Sequence, residues 1–202
     1  MERVQSSDAR MGRQHSSAMG AASALLNATG AAEIAHPGGT LLAHLCRTAD
    51  LLAAWRAPET LIIAGLCHAA YGTDGFDQAL LDLSERARLA SAIGAAAEDL
   101  VYFYANCDRE FTYASLVDGH LRFRDRYTGA VSAPESDRMR QFMELTFANE
   151  IDVARHSRSF AQNVWPKLMT LFSRCEPLVS TAAAAAYSNA CHELAAVGAN
   201  PL

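Results

Sequence analysis

The stretch LLAHLCRTADLLAAWRAPETLIIAGLCHAAYGTDGF, Leu41 to Phe76, decides the fold. Its apolar residues recur at the spacing of helical turns over two successive runs, the pattern of helices that bury one face. Each run carries an imidazole on the face that otherwise reads as core. With a helix predicted over 39–55, His44 shares a stripe with Leu41, Thr48, Leu51 and Trp55. With a second over 58–71, His68 shares one with Leu61, Ala64, Gly65 and Tyr71. Both imidazoles are therefore expected to be buried or to line a pocket, and Ala64 and Gly65 leave room for close approach of another helix. Pro58 with Glu59 suits a first turn, Pro37-Gly38-Gly39 stops any preceding helix, and Gly72 and Gly75 end the second run.

Outward from this stretch, helix periodicity continues over 18–29, 84–92, 95–106, 113–118, 134–155, 159–174 and 177–197. The alternation in HLRFRDRYTGAV predicts a short β-hairpin about Thr128-Gly129. No repeat, linker or charge block divides the 202 residues, so the reading is one all-α domain over 18–202 behind a disordered leader over 1–17. No apolar run reaches the ~18 residues of a membrane span. A net charge of −5 with 17 scattered Lys+Arg gives no footprint for a nucleic acid or an anionic membrane. Cys46, Cys67, Cys107, Cys175 and Cys191 are odd in number and far apart, so they read as reduced, buried thiols, and the chain as cytoplasmic. The alanine-rich run 182–186 fits a tightly packed helix, within the chain or across a homodimer.

The second informative phrase is LTFANEIDVARH, where Asn149, Asp152 and His156 fall at i, i+3 and i+7 on one helix face. Asp152 and His156 at that spacing either chelate a divalent metal or form a hydrogen-bonded pair for proton transfer. The bland alternatives are satisfied core histidines and a surface ion pair of only ~0.3–0.5 kcal/mol. Tyr71 reads as a general acid or hydrogen-bond donor, or as a helix-end tyrosine with its hydroxyl in water. Asp108 and Arg109 read as a substrate clamp for a carboxylate or phosphate, or as a helix-terminal salt bridge. No Ser/His/Asp triad, phosphate-cradling glycine loop or dinucleotide fingerprint is present.

The phrase AGLCHAAYGT, with His44 standing 24 residues before His68, resembles the HD-domain superfamily of metal-dependent phosphohydrolases, most of all the hydrolase domain of the stringent-response alarmone enzymes. Those proteins place one His inside a helix, a second in an "LLHD" turn, and an Asp in a later "LAxxLxN" segment. The resemblance matches His44 to the first, His68 to the second and FANEID to the later segment, with Asn149 at the position of the third ligand. The chain is also similar to a bacterial family of uncharacterised proteins that keep "H-x7-H", "HSxYGT", "CDR" and "ANE" phrases. Here these are His36 with His44, CHAAYGT, Cys107-Asp108-Arg109 and Asn149-Glu150, and the likeness runs from about Gly30 to Arg174. It implies an HD-like helical bundle and a divalent metal ion.

The departures narrow the chemistry. Ala69 replaces the Asp of the HD pair, and Gly72 and Thr73 replace the acidic pair that activates water in alarmone hydrolases. Alarmone hydrolysis and a two-metal site both lose their carboxylates. What remains suits one ion, zinc, iron(II) or manganese(II), on His44 and His68, with Asp152 or Asn149 third and His36 as a fourth ligand. Asp152 is preferred as the charged donor. The expected function is metal-dependent hydrolysis or elimination on a small molecule. The alternatives are a non-haem iron oxygenase and a non-catalytic ligand-binding protein of the same fold.

Overall fold

The structure, a computed structural model, describes residues 17–198, and the expected leader lies outside them except for Ser17. The fold is all-α. Helix α1 covers residues 17–28, burying Ala22 and Leu26. A two-residue ribbon follows, β1 (Ala35–His36) paired antiparallel with β2 (Gly39–Thr40) across a Pro37-Gly38 turn. Because Gly39 and Thr40 belong to this ribbon, α2 begins at Leu41, two residues later than predicted, and runs to Ala54. Thr40 caps it by accepting a hydrogen bond from the Ala43 amide at 3.2 Å.

Helix α3 (Glu59–Cys67) packs along α2. The expected close approach is there: a Cβ on Gly65 would collide with Leu52 Cδ1 of α2. The helix stops at Cys67 rather than at Tyr71, so His68 is its C-cap and the residues after it form turns. One of these is a tight loop in which Thr73 and Phe76 exchange backbone hydrogen bonds at 2.8 Å, with Gly72 and Gly75 in the left-handed region at φ 69° and 88°.

Helices α4 (Arg86–Ile93), α5 (Ala95–Ala105) and α6 (Arg109–Val117) follow, and α6 starts four residues before the predicted 113. The expected hairpin is present as β3 (Phe123–Arg124) against β4 (Val131–Ser132). The long α7 (Ser136–His156) contacts α2, α3, α5, α9 and α10. Phe142 through Asp152 are buried without a break, so this segment has no solvent face at all.

Two aromatic clusters fix α7. Phe142 meets Phe103, Tyr104 and Phe123 on one side, and Phe147 meets Phe172 and Tyr187 on the other. Such ring pairs contribute ~0.5–1.5 kcal/mol each beyond simple burial. The predicted helix 159–174 is two helices, α8 (Arg158–Asn163) and α9 (Trp165–Cys175). The break falls at Val164, because Pro166 in the first turn of α9 has no N–H to continue the α8 ladder. α10 (Thr181–Gly198) closes the chain against α7. All five cysteines are free, and Cys46 is exposed, contrary to the expectation that the thiols are buried. Among the described residues no helix is long and apolar enough to cross a membrane.

Candidate functional site

The inward stripe of α2 delivers His44, which is 1% exposed, and the end of α3 delivers His68, which is 2% exposed. Their Nε2 atoms approach to 3.3 Å. Helix α7 brings Asn149, whose Oδ1 lies 3.0 Å from His44 Nε2. Side chains from three helices thus meet at His44 Nε2.

What lies behind each group fixes its chemistry. His44 Nδ1 sits 2.6 Å from Asp152 Oδ2, and His68 Nδ1 sits 2.7 Å from the Gly65 carbonyl oxygen. A carboxylate and a carbonyl only accept, so both Nδ1 atoms carry hydrogen, and a ring that holds no second proton presents a bare Nε2 lone pair. Asn149 Nδ2 donates to Glu150 Oε1 at 3.0 Å, which turns the amide oxygen toward the imidazoles. Burial, reinforced by neighbouring His44, pulls the His68 pKa down to about 3, so His68 stays neutral. With a single proton on His44 the point collects three acceptors and no donor, and with a second proton His44 Nε2 donates to Asn149 Oδ1. Lone pairs facing one another in a buried setting repel unless a proton or a cation lies between them.

Asp152, the preferred third ligand in the sequence, is not at this point. It stands on the far side of His44, where Arg47 Nε donates to Oδ1 at 2.7 Å and Arg47 Nη2 to Oδ2 at 2.9 Å. Burial raises its pKa, but His44 and Arg47 outweigh that and hold the carboxyl down at about 2. Asp152 orients the His44 ring, a role partners of metal-binding histidines often fill. Arg47 is itself tied to the Pro37 carbonyl at 3.0 Å.

A cleft of about 500 Å³ opens onto the cluster. His36 lines it but stacks face to face on His44, ring centroids 4.2 Å apart, instead of aiming an edge at the shared point, so the fourth-ligand expectation is not met. Its Nδ1 is buried without a partner, and burial followed by the nearby His44 lowers its pKa to about 4. Opposite, Arg109 Nη1 donates to Glu150 Oε1 at 3.1 Å and Nη2 to the Tyr104 hydroxyl at 3.0 Å. The Arg109 amide donates to Asp74 Oδ2 at 2.8 Å, anchoring the glycine-flanked loop at the cleft edge. Val153, Phe160, Val164 and Leu168 of α7 to α9 form an apolar wall.

Three other expected site residues lie elsewhere. Tyr71 is buried and donates to Glu98 Oε1 at 2.9 Å, away from the cleft; burial, then Glu98, drives its pKa upward. Asp108 caps α6 by accepting from the Phe111 amide at 2.9 Å and pairs with Arg124, so only Arg109 of that duo reaches the cleft. His156 is exposed and outside the cleft lining; its Nδ1 donates to the Asp152 carbonyl at 2.8 Å and lies 3.2 Å from Asp152 Oδ1, so the expected Asp152–His156 pair forms at the helix end, behind His44. Conversely Arg47, Tyr104, Tyr113 and Glu150 reach the site without any sequence signal of their own, apart from Glu150 adjoining Asn149.

Among the described residues, no three His, Cys, Asp or Glu side chains form a group that holds a metal ion. The donor set at the point is two imidazoles and an amide oxygen. It nevertheless fits one ion: ligand bonds of ~2.0–2.2 Å place adjacent donors ~3 Å apart, close to the two separations found.

A family model described as a domain of unknown function (DUF6817) matches residues 25–109, the part of the chain that includes His36, His44, His68 and Arg109. No curated protein and no solved structure matches the chain.

Proposed function

We propose that this is a cytoplasmic small-molecule enzyme of HD-like architecture in which His44, His68 and Asn149 hold one divalent ion, zinc, iron(II) or manganese(II), for hydrolysis or elimination. The observation that carries the reading is the meeting of His68 Nε2 and the Asn149 amide oxygen at His44 Nε2, 3.3 and 3.0 Å away, while both Nδ1 atoms are already engaged behind the rings. When bound, such an ion polarises a substrate oxygen and makes water more acidic.

The chain's own residues supply the rest. Asp152 and the Gly65 carbonyl engage both Nδ1 protons and so turn both Nε2 edges toward the shared point. Glu150, 3% exposed, uses Oε1 for Asn149 and Arg109 and keeps Oε2 available as a proton acceptor on the cleft wall. Arg109 holds Glu150 in place, and the apolar wall of α7 to α9 limits water around the reacting groups. The facial triad of iron oxygenases needs a carboxylate where Asn149 stands, so the donor set favours hydrolysis or elimination over oxygen chemistry.

A second reading rests on Asp152 lying behind His44. A proton on His44 Nε2, donated to Asn149 Oδ1, also resolves the repulsion and makes His44 with Asp152 a metal-free acid–base pair. Metal content separates the two. Tag-free protein reconstituted in turn with zinc, iron(II) and manganese(II) is expected to retain about one equivalent of one of them, and His44→Ala to retain none with its helical circular dichroism intact. Substoichiometric binding of all three metals by the wild type sinks the metal reading and leaves the acid–base pair or a non-catalytic binding role.

A further inference from the structure

The charge around the three donors does not balance a dication. Both imidazoles and the Asn149 amide are neutral ligands, Asp152 is neutralised by Arg47, and Glu150 is paired with Arg109. Of the carboxylates lining the cleft, only Asp74 has no ion pair among the described residues. An ion of charge +2 would therefore sit in a buried pocket with an excess of positive charge, a costly state in a low-dielectric setting.

The opposite wall offers donors without acceptors. The Tyr113 hydroxyl is buried at the cleft with no partner, and an unmade hydrogen bond of this kind costs ~1–3 kcal/mol. Arg109 commits two side-chain N–H groups, to Glu150 and Tyr104, and has further ones with no acceptor among the described residues. Apart from Thr73, the remaining lining is apolar, with Leu41, Phe76, Val153, Phe160, Val164 and Leu168 its larger side chains.

From this we infer that the ligand of the cleft is an oxyanion, a carboxylate or a phosphate monoester, carried on an apolar body, and that it binds together with the metal ion. The anion supplies the charge that Asn149 does not, its second oxygen accepts from Tyr113 and Arg109, and its body lies on the α7 to α9 wall. The inference rests on the metal-site reading above and adds the ligand class and the coupling. Because linkage is reciprocal, an anion that needs the ion also strengthens its binding by the same factor.

The test is calorimetric titration of zinc chloride into the full chain, alone and with saturating acetate, benzoate or methyl phosphate. The expected result is zinc binding about tenfold tighter with benzoate than without anion, a smaller gain with acetate, and the methyl phosphate arm deciding which oxyanion is preferred. Asn149→Asp, which adds the missing charge, is expected to bind zinc more tightly alone and to lose the benzoate gain. Tyr113→Phe should reduce the gain without altering zinc binding in the absence of anion. Zinc bound by the wild type with the same affinity under all four conditions overturns the inference while leaving the metal site standing. Zinc bound by neither the wild type nor Asn149→Asp, with or without anion, removes both.

Discussion

Two of the buried polar clusters among the described residues, one around Glu98 and one around His44, are built to opposite rules. Around Glu98, Arg86 donates to both carboxylate oxygens at 2.7 and 2.9 Å, and Tyr71 adds a third hydrogen bond at 2.9 Å. Arg86 also stacks on the Tyr102 ring with its guanidinium 3.7 Å from the centroid. Donors and acceptors match and the charges cancel, so nothing is left for a ligand. Around His44, the outer contacts to Asp152, Arg47 and Gly65 are as well matched, yet they turn His44 Nε2, His68 Nε2 and Asn149 Oδ1 inward on one another with at most one proton to share. Both clusters are buried; what separates a structural cluster from a binding one is whether its hydrogen-bond account closes without a guest.

The comparison breaks if each cluster fails to show its own kind of defect. His68→Ala is expected to cost the largest amount, about a thousandfold in zinc affinity (~4 kcal/mol), since one of three or four ligands carries roughly that share of a ~10–16 kcal/mol site. Calorimetry measures it, and an unchanged affinity would falsify the assignment of that imidazole. Glu98→Ala should do the reverse. It strands Arg86 and the Tyr71 hydroxyl and lowers unfolding stability by about 2–3 kcal/mol in urea titration, held to that range because Arg86 reaches water. Zinc affinity should stay within about twofold of wild type.

Asp152→Asn sharpens the contrast within the site itself. The outer partner of a metal-bound histidine contributes about 10–100-fold to metal affinity, so this variant should fall between wild type and His68→Ala. A loss equal to that of His68→Ala would return Asp152 to the role of direct ligand.

The most gradual effect is in pH. The His68 pKa, about 3 in the folded chain against an ordinary 6.5, is lowered, so the unfolded chain takes up a proton that the native state refuses. Its contribution to stability is complete above 6.5 and is lost as pH falls toward 3, at up to ~1.4 kcal/mol per pH unit. Urea midpoints of metal-free protein at pH 7.5, 6 and 5 should decline, and His68→Gln should flatten the decline. Parallel slopes for the two proteins contradict a neutral buried His68.

The parts of the site that follow a period are visible in the sequence. The stripes of α2 and α3 announce buried imidazoles, Gly65 announces the tight contact with α2, and Thr128-Gly129 announces the hairpin. Asn149 and Asp152 do share a helix face, as their spacing requires, but spacing does not say on which side of His44 each carboxyl or amide arrives. Glu150 carries no signal because α7 is buried all round from Phe142 to Asp152, and a helix without a solvent face has no polar and apolar sides to tell apart. Tyr71 and Asp108 sit beside suggestive phrases, yet their partners Glu98 and Phe111 are set by tertiary packing and by a helix start four residues before the periodic run.

The all-round enclosure of α7 also governs how this site can drift over evolutionary time. At residue 149 the surrounding side chains leave one shape, and asparagine and aspartate both fill it. Exchanging the amide nitrogen for an oxygen there resets the electrical character of the pocket, but it also removes the hydrogen that Glu150 Oε1 accepts and sets two carboxylates side by side. A lineage carrying this scaffold therefore changes the charge beside the imidazoles by altering residues 149 and 150 together rather than one alone.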